Sequence, residues 1–146
     1  MSQVSLHGKL KYDVEYKTPA DQVYEFWSCN FKDIPKACSK IIHSIELLQG
    51  CWGKEGSIHV MTYSLVEAMD CKKKYMSLKV IGGNLLDHYR SIKFILEQVT
   101  PKGDGASMAC WTMEYEKLNE NVPDPIALRD AGVNTNKAIA AYLSQA

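Results

Sequence analysis

The feature that most narrows what this chain can fold into is one long amphipathic run near its C-terminus, preceded by strand-like segments with no helix between them. Asn121-Val-Pro-Asp-Pro introduces the run, with Asp124 placed to cap a helix and Pro125 to take its first position. Leu128, Ala131, Gly132, Thr135, Ile139 and Tyr142/Leu143 then recur at three- and four-residue spacing, which defines one helical face. Arg129, Asp130, Asn134 and Lys137 fall on the other face. The middle of the apolar stripe is bare, because Ala131, Gly132 and Thr135 stand where a packing helix would carry Leu or Phe. Glycine in a helix interior costs about 1 kcal/mol relative to alanine. Two readings follow: the helix lies very close to a sheet, or it roofs a cavity.

The upstream segments supply the sheet. Leu10, Tyr12, Val14 and Tyr16 alternate with Lys11, Asp13, Glu15 and Lys17, the pattern of a half-buried strand. Thr18-Pro19-Ala20-Asp21 reads as a helix start with Thr18 as cap, and Val23, Tyr24, Phe26 and Trp27 give that helix an apolar face. A second short helix is expected around Ile34–Ser39, limited by Pro35. Strands are expected at Ile41–Leu48, Ile58–Leu65, Tyr75–Ile81, Ser91–Thr100 and Ser107–Lys117. Sequential strands with helices near the two chain ends predict an α+β domain, an antiparallel sheet of about six to seven strands gripping the long helix. Residues 1–146 read as a single domain.

Composition excludes several functions. Lysine plus arginine (17) balances aspartate plus glutamate (17), and Lys72-Lys73-Lys74 reads as a solvated turn, so no nucleic-acid partner is expected. No apolar run reaches membrane length and no signal peptide is evident, so membrane insertion is not expected. Five cysteines without paired spacing read as free thiols in a reducing cytosol, which makes cytoplasmic the expected location. His7, His43, His59 and His88 are scattered, and no zinc or other cofactor site is expected. The glycines at 50, 53 and 56 lack the Gly-Lys-Ser/Thr ending of a phosphate loop and read as a hairpin turn. A patch-poor neutral surface predicts a monomer.

Several strings resemble plant major latex proteins. They are Leu6-His-Gly-Lys-Leu10, Leu48-Gln-Gly-Cys-Trp-Gly-Lys-Glu-Gly-Ser-Ile58, Val80-Ile-Gly-Gly-Asn-Leu85, Val99-Thr-Pro-Lys102 and Trp111-Thr-Met-Glu-Tyr-Glu-Lys117. Those proteins belong to the wider birch-pollen-allergen (Bet v 1) and pathogenesis-related class-10 group. The resemblance implies a START-like helix-grip fold with a large cavity between sheet and helix. It further implies a ligand among sterols, flavonoids, hormones and alkaloids, a role in defence or specialised metabolism, or isomerase or cyclase chemistry on a reactive terpenoid or alkaloid. Against the family pattern, the hairpin between Tyr63 and Val66 is shortened, Gly82 and Asn84 replace acidic residues at the cavity mouth, and Ala131 replaces a larger residue.

The expected cavity lining is His59, Met61 and Tyr63; Met76, Leu78 and Val80; Tyr89 and Phe94; Trp111, Met113 and Tyr115; and, from the helix, Leu128, Ala131, Gly132, Thr135 and Ile139. Aromatic and methionine side chains with a few polar groups suit a small-molecule pocket. His59, His88 and Tyr89 are the candidates for proton transfer. No nucleophile–base–orienter set is readable. The sequence therefore favours binding and carriage of a hydrophobic small molecule over catalysis.

Overall fold

A computed structural model describes residues 6–37, 47–49, 55, 58–59, 64–82 and 84–144. The alternation at the start of the chain becomes β1 (His7–Tyr16), with Val14 and Tyr16 buried, Leu10 and Tyr12 half-buried, and the intervening charges exposed. Helix α1 (Ala20–Ser28) buries Val23, Tyr24, Phe26 and Trp27. Thr18 does not cap it. Pro19 is the cap residue, extended at φ −57° and ψ 145°, and its carbonyl takes the Gln22 and Val23 amides at 3.0 and 3.2 Å. That leaves Thr18 one residue too early; its hydroxyl has no partner among the described residues, while its carbonyl accepts the Ser107 hydroxyl at 2.8 Å. A short 3-10 turn at Phe31–Asp33 leads into α2 (Ile34–Ala37).

The remaining strands are β2 (Leu47–Gln49), β3 (Ile58–His59), β4 (Ser64–Asp70), β5 (Tyr75–Val80), β6 (Tyr89–Pro101) and β7 (Ser107–Lys117). They form one antiparallel seven-stranded sheet in the order β1-β7-β6-β5-β4-β3-β2. The expected strand Ile58–Leu65 is two strands, since Ile58 pairs with Leu65 and His59 with Ser64 across a hairpin. The hairpin expected between Tyr63 and Val66 lies in part outside the described residues. β4 was not foreseen as a strand, because a bulge between Val66 and Ala68 breaks its two-residue period.

Register fixes which side chains face inward. Leu10, Met113, Phe94 and Leu78 lie abreast across β1, β7, β6 and β5, as do Tyr12, Trp111, Leu96 and Met76. A bulge between Leu96 and Gln98 shifts the phase of β6, so Val99 joins Ala109 and Val14 on the same face. Lys9, Glu114 and Lys93 form a row on the outer face, with Lys93 3.3 Å from Glu67.

Helix α3 (Ile126–Ser144) makes its close approach to β1 and α2 among the described elements. Its start departs from expectation: the Arg129 amide bonds the Pro125 carbonyl at 3.0 Å, so Pro125 stands at the cap position. Asp124 is spent elsewhere. Its carboxylate accepts the Tyr115 hydroxyl at 2.9 Å and meets Lys117 at 2.7 Å, fastening the helix start to the end of β7. Buried residues fall into two clusters. One gathers Tyr16, Trp27, Leu96, Trp111 and Ile139; the other gathers Val80, Tyr89, Ile92, Met113, Tyr115 and Val122.

Candidate functional site

Between α3 and the sheet a polar network lies inside the first cluster. Asn136 is 1% exposed and projects from the middle of α3. Its Oδ1 accepts the Tyr16 hydroxyl at 2.6 Å and the Trp111 Nε1–H at 3.1 Å, while its Nδ2 donates to the Gly132 carbonyl at 2.8 Å. The Trp27 Nε1–H donates to the Tyr16 oxygen at 3.3 Å. The Trp27 and Trp111 rings meet edge-to-face at 4.8 Å, a geometry worth about 0.5–1.5 kcal/mol beyond burial. Each of these buried polar groups has a partner, which is the condition for placing it there. Burial holds the Tyr16 hydroxyl above the ordinary phenol range, so the network is neutral.

The bare stripe of α3 serves two purposes. At Gly132 the Tyr12 ring comes so close that an added Cβ would stand 2.5 Å from the Tyr12 oxygen. Here the helix does approach the sheet closely, and Tyr12 in turn stacks on Trp111 at 6.3 Å and 10°. Ala131 and Leu128, by contrast, are half-buried, and Thr135 turns its hydroxyl back to the Ala131 carbonyl at 2.8 Å. Ile139 is fully buried in the first cluster.

The second cluster holds two tyrosines that bond the segment leading into α3. The Tyr115 ring crosses over Gly8, in contact with the position a Cβ would take, and so reaches Asp124. Burial, then the bond to Asp124, pushes the Tyr115 hydroxyl up to about 12. The Tyr89 hydroxyl donates to the Pro123 carbonyl at 2.7 Å, and burial raises it as well. Lys117 first, and Tyr115 second, hold the Asp124 carboxyl below the usual range.

The residues expected as lining divide between the two clusters: Met76, Leu78, Trp111 and Ile139 lie in the first, and Val80, Tyr89, Met113 and Tyr115 in the second. Met76, Leu78, Val80, Trp111 and Met113 are buried, and the register puts Leu78, Trp111, Met113 and half-buried Phe94 on one face. His88 stands apart: it is exposed, in the turn before β6. His59 is placed on β3, while Met61 and Tyr63 lie outside the described residues. Tyr12, Tyr16 and Asn136 were missed as site residues. The alternation of β1 already turned both tyrosines inward, and Asn136 follows Gly132 by one helical turn, which was the available signal. An open groove of about 450 Å³ is lined by His7, Gly8, Lys9, Ser91, Lys93 and Glu114 and reaches Tyr115 of the second cluster. Among the described residues no cluster of side chains suits a metal ion, Cys29, Cys71 and Cys110 are free, and no helix is long and apolar enough to cross a membrane.

Comparison with known proteins gives a consistent picture. A family model described as Pathogenesis-related protein Bet v 1 family matches residues 5–146. MLP-like protein 43 of Arabidopsis thaliana is 37% identical over 150 residues, spanning 95% of this chain and 94% of its own. The crystal structure of ginseng major latex-like protein 151 from Panax ginseng has a TM-score of 0.87 at 28% identity, covering 94% of this chain and 97% of that one. Norcoclaurine synthase from Thalictrum flavum, in complex with dopamine and hydroxybenzaldehyde, has a TM-score of 0.78 at 17% identity, covering 97% and 88%. That last likeness is one of fold alone.

Proposed function

This chain belongs to the pathogenesis-related Bet v 1 family, and from that premise we propose that it binds and carries an apolar, partly aromatic small molecule between the sheet and α3. The ligand would be a plant secondary metabolite, sterol or hormone. The observation that carries this reading is Phe94. It sits on a middle strand, faces inward between Met113 (0% exposed) and Leu78 (4%), touches both core clusters, and yet is only half-buried. In a filled core a ring so placed would be sealed like its neighbours. Covering such surface with ligand contributes about 25 cal/mol per Å².

An isomerase or cyclase in the same space is less well supported. The hydroxyls of Tyr16, Tyr89 and Tyr115 are each donated to a protein acceptor and held neutral by burial, and His88 is exposed. A structural likeness to norcoclaurine synthase supplies a scaffold for chemistry and no catalytic group.

The test is a panel of sterols, flavonoids, terpenoids and alkaloids, read by tryptophan emission and melting temperature. Dissociation constants near micromolar, about −8 kcal/mol, are expected, with thermal stabilisation by mass action. Ala131→Phe should keep wild-type stability and weaken the bulkier ligands about tenfold. A panel that moves neither signal, or an Ala131→Phe protein that loses the roughly 1–3 kcal/mol typical of an overpacked core, overturns the carrier reading. Turnover of a terpenoid or alkaloid intermediate, lost in both His59→Ala and His88→Ala, would establish the enzyme instead.

A further inference from the structure

We propose that the Tyr12 hydroxyl is the polar anchor of the ligand, so that the molecule carried is uncharged and presents an alcohol, phenol or carbonyl oxygen beside its apolar body. The proposal rests on the carrier reading above and specifies what the site selects.

Six tyrosines are buried or half-buried along the sheet and α1, and four of them spend their hydroxyls on the protein. Tyr16 donates to Asn136, Tyr24 to the Tyr75 carbonyl, Tyr89 to the Pro123 carbonyl and Tyr115 to Asp124. Tyr12 and Tyr75 are different: neither hydroxyl has a hydrogen-bond partner among the described residues, and of the two it is Tyr12, beside Gly132, that stands against α3. The nearby Gly132 carbonyl is already taken by Asn136. Nor is the Tyr12 hydroxyl sealed away. Among the described residues the enclosed side-chain oxygen lacking a partner is that of Thr18, whereas Tyr12 is half-buried.

A half-buried phenol without a protein partner is completed by water or by a bound molecule, and a ligand oxygen can take that place. Burial alone pushes the Tyr12 hydroxyl above its ordinary range, so it is neutral and both donates and accepts. Its surroundings define the partner. Leu10 precedes it on the same face of β1, Trp111 stacks on its ring, and half-buried Phe94 lies beyond Met113 in the next row. Lys9, Lys79 and Lys93 occupy the other face of these strands, so no cation from them meets an ionised ligand here. An apolar molecule with one neutral oxygen fits both the hydroxyl and its walls. Gly132 is what lets the phenol stand so near the helix, since a Cβ there would displace it.

The test compares naphthalene with β-naphthol, and β-naphthol with β-naphthoate, by titration calorimetry on wild type and on Tyr12→Phe. In wild type, β-naphthol is expected to bind about three- to tenfold more tightly than naphthalene, the span of one net hydrogen bond, and the naphthoate more weakly than the naphthol. In Tyr12→Phe the naphthol–naphthalene gap should close, with naphthalene unchanged. A gap absent from wild type, or surviving in Tyr12→Phe, overturns the anchor while leaving the carrier reading intact. Failure of naphthalene and naphthol alike to bind wild type overturns both. Tyr12→Phe should melt with wild type, because the hydroxyl holds nothing in the protein; a clear loss of stability would show that it has a protein partner and end the proposal. Tyr16→Phe controls for loss of a hydroxyl that the protein does use, and should lower stability without closing the gap.

Discussion

The Tyr16 hydroxyl and the Asn136 side chain, 120 residues apart in sequence, meet at 2.6 Å in the buried interior, where Asn136 also receives Trp111. One amide oxygen therefore ties α3 to β1 and β7 together. Replacing it leaves two buried donors without an acceptor, and each orphaned group costs about 1–3 kcal/mol. Asn136→Leu is expected to lower stability by about 2–5 kcal/mol and Tyr16→Phe by about 1 kcal/mol. Because the two residues share a bond, the double variant should lose less than the sum. Urea denaturation of the three variants measures this, and strict additivity would remove the network from the account.

Gly132→Ala separates helix propensity from packing. On propensity alone alanine adds about 1 kcal/mol. Its Cβ, however, would stand 2.5 Å from the Tyr12 oxygen and 3.0 Å from the ring carbon bearing it, and that ring is stacked on Trp111. We expect a net loss of about 1 kcal/mol, within the range for overpacking. The loss should shrink in a Tyr12→Phe background, where the nearest atom is gone. A gain in the wild-type background would show that Tyr12 moves freely.

Asp124 gives stability an acid limb. Its carboxyl is held below the usual range by Lys117 and then Tyr115, so its contribution is full above the unfolded value near 4 and is lost as pH falls through the folded one. Asp124→Asn should be less stable than wild type at neutral pH, and the difference should narrow below pH of about 4. Denaturation midpoints across that range are the measurement. A gap that stays constant down to low pH would mean that the charge of Asp124 does not matter.

Alkali should act through the tyrosines. Burial raises Tyr12, Tyr16 and Tyr24 beyond the ordinary range and Tyr115 to about 12. The folded protein favours the neutral phenols, so that stability is present below the unfolded value of about 10 and is lost as pH rises through the folded values. Phenolate absorbance in the native protein should lag behind that of the unfolded chain, then catch up on unfolding. All eight tyrosines titrating together near pH of about 10 in a folded protein would contradict the burial described.

What the sequence revealed follows from how local each signal is. The alternation of Leu10, Tyr12, Val14 and Tyr16 is a property of adjacent residues, and it survives intact in β1. The long helix and the inward set on β7 were legible for the same reason. β4 was not, because a bulge between Val66 and Ala68 hides its period, and the split of Ile58–Leu65 was not, because two short strands joined by a turn look like one long one. Asn136 was illegible in another way. A lone asparagine on a helix reads as solvent-facing until its partners arrive from β1 and β7. Asp124 was misread because its near neighbours suggested a cap, whereas Tyr115 and Lys117, close only in the fold, compete for the same oxygens.

The register break in β6 bears on how the length of this strand can vary in descent. Ile92, Phe94 and Leu96 face inward ahead of it and Val99 after it, with Glu97 and Gln98 both exposed between. Deleting Glu97 would restore strict alternation and leave each inward residue inward, while removing the bend that the extra residue imposes. A deletion between Ile92 and Leu96 would instead turn part of the strand inside out. Positions 97 and 98 are thus where lineages can lose one residue between Ile92 and Val99 without exchanging inward for outward side chains, and what changes there is the curvature of the sheet. Evolution can thus rebend the sheet through its backbone at that point, leaving the inward side chains of β6 alone.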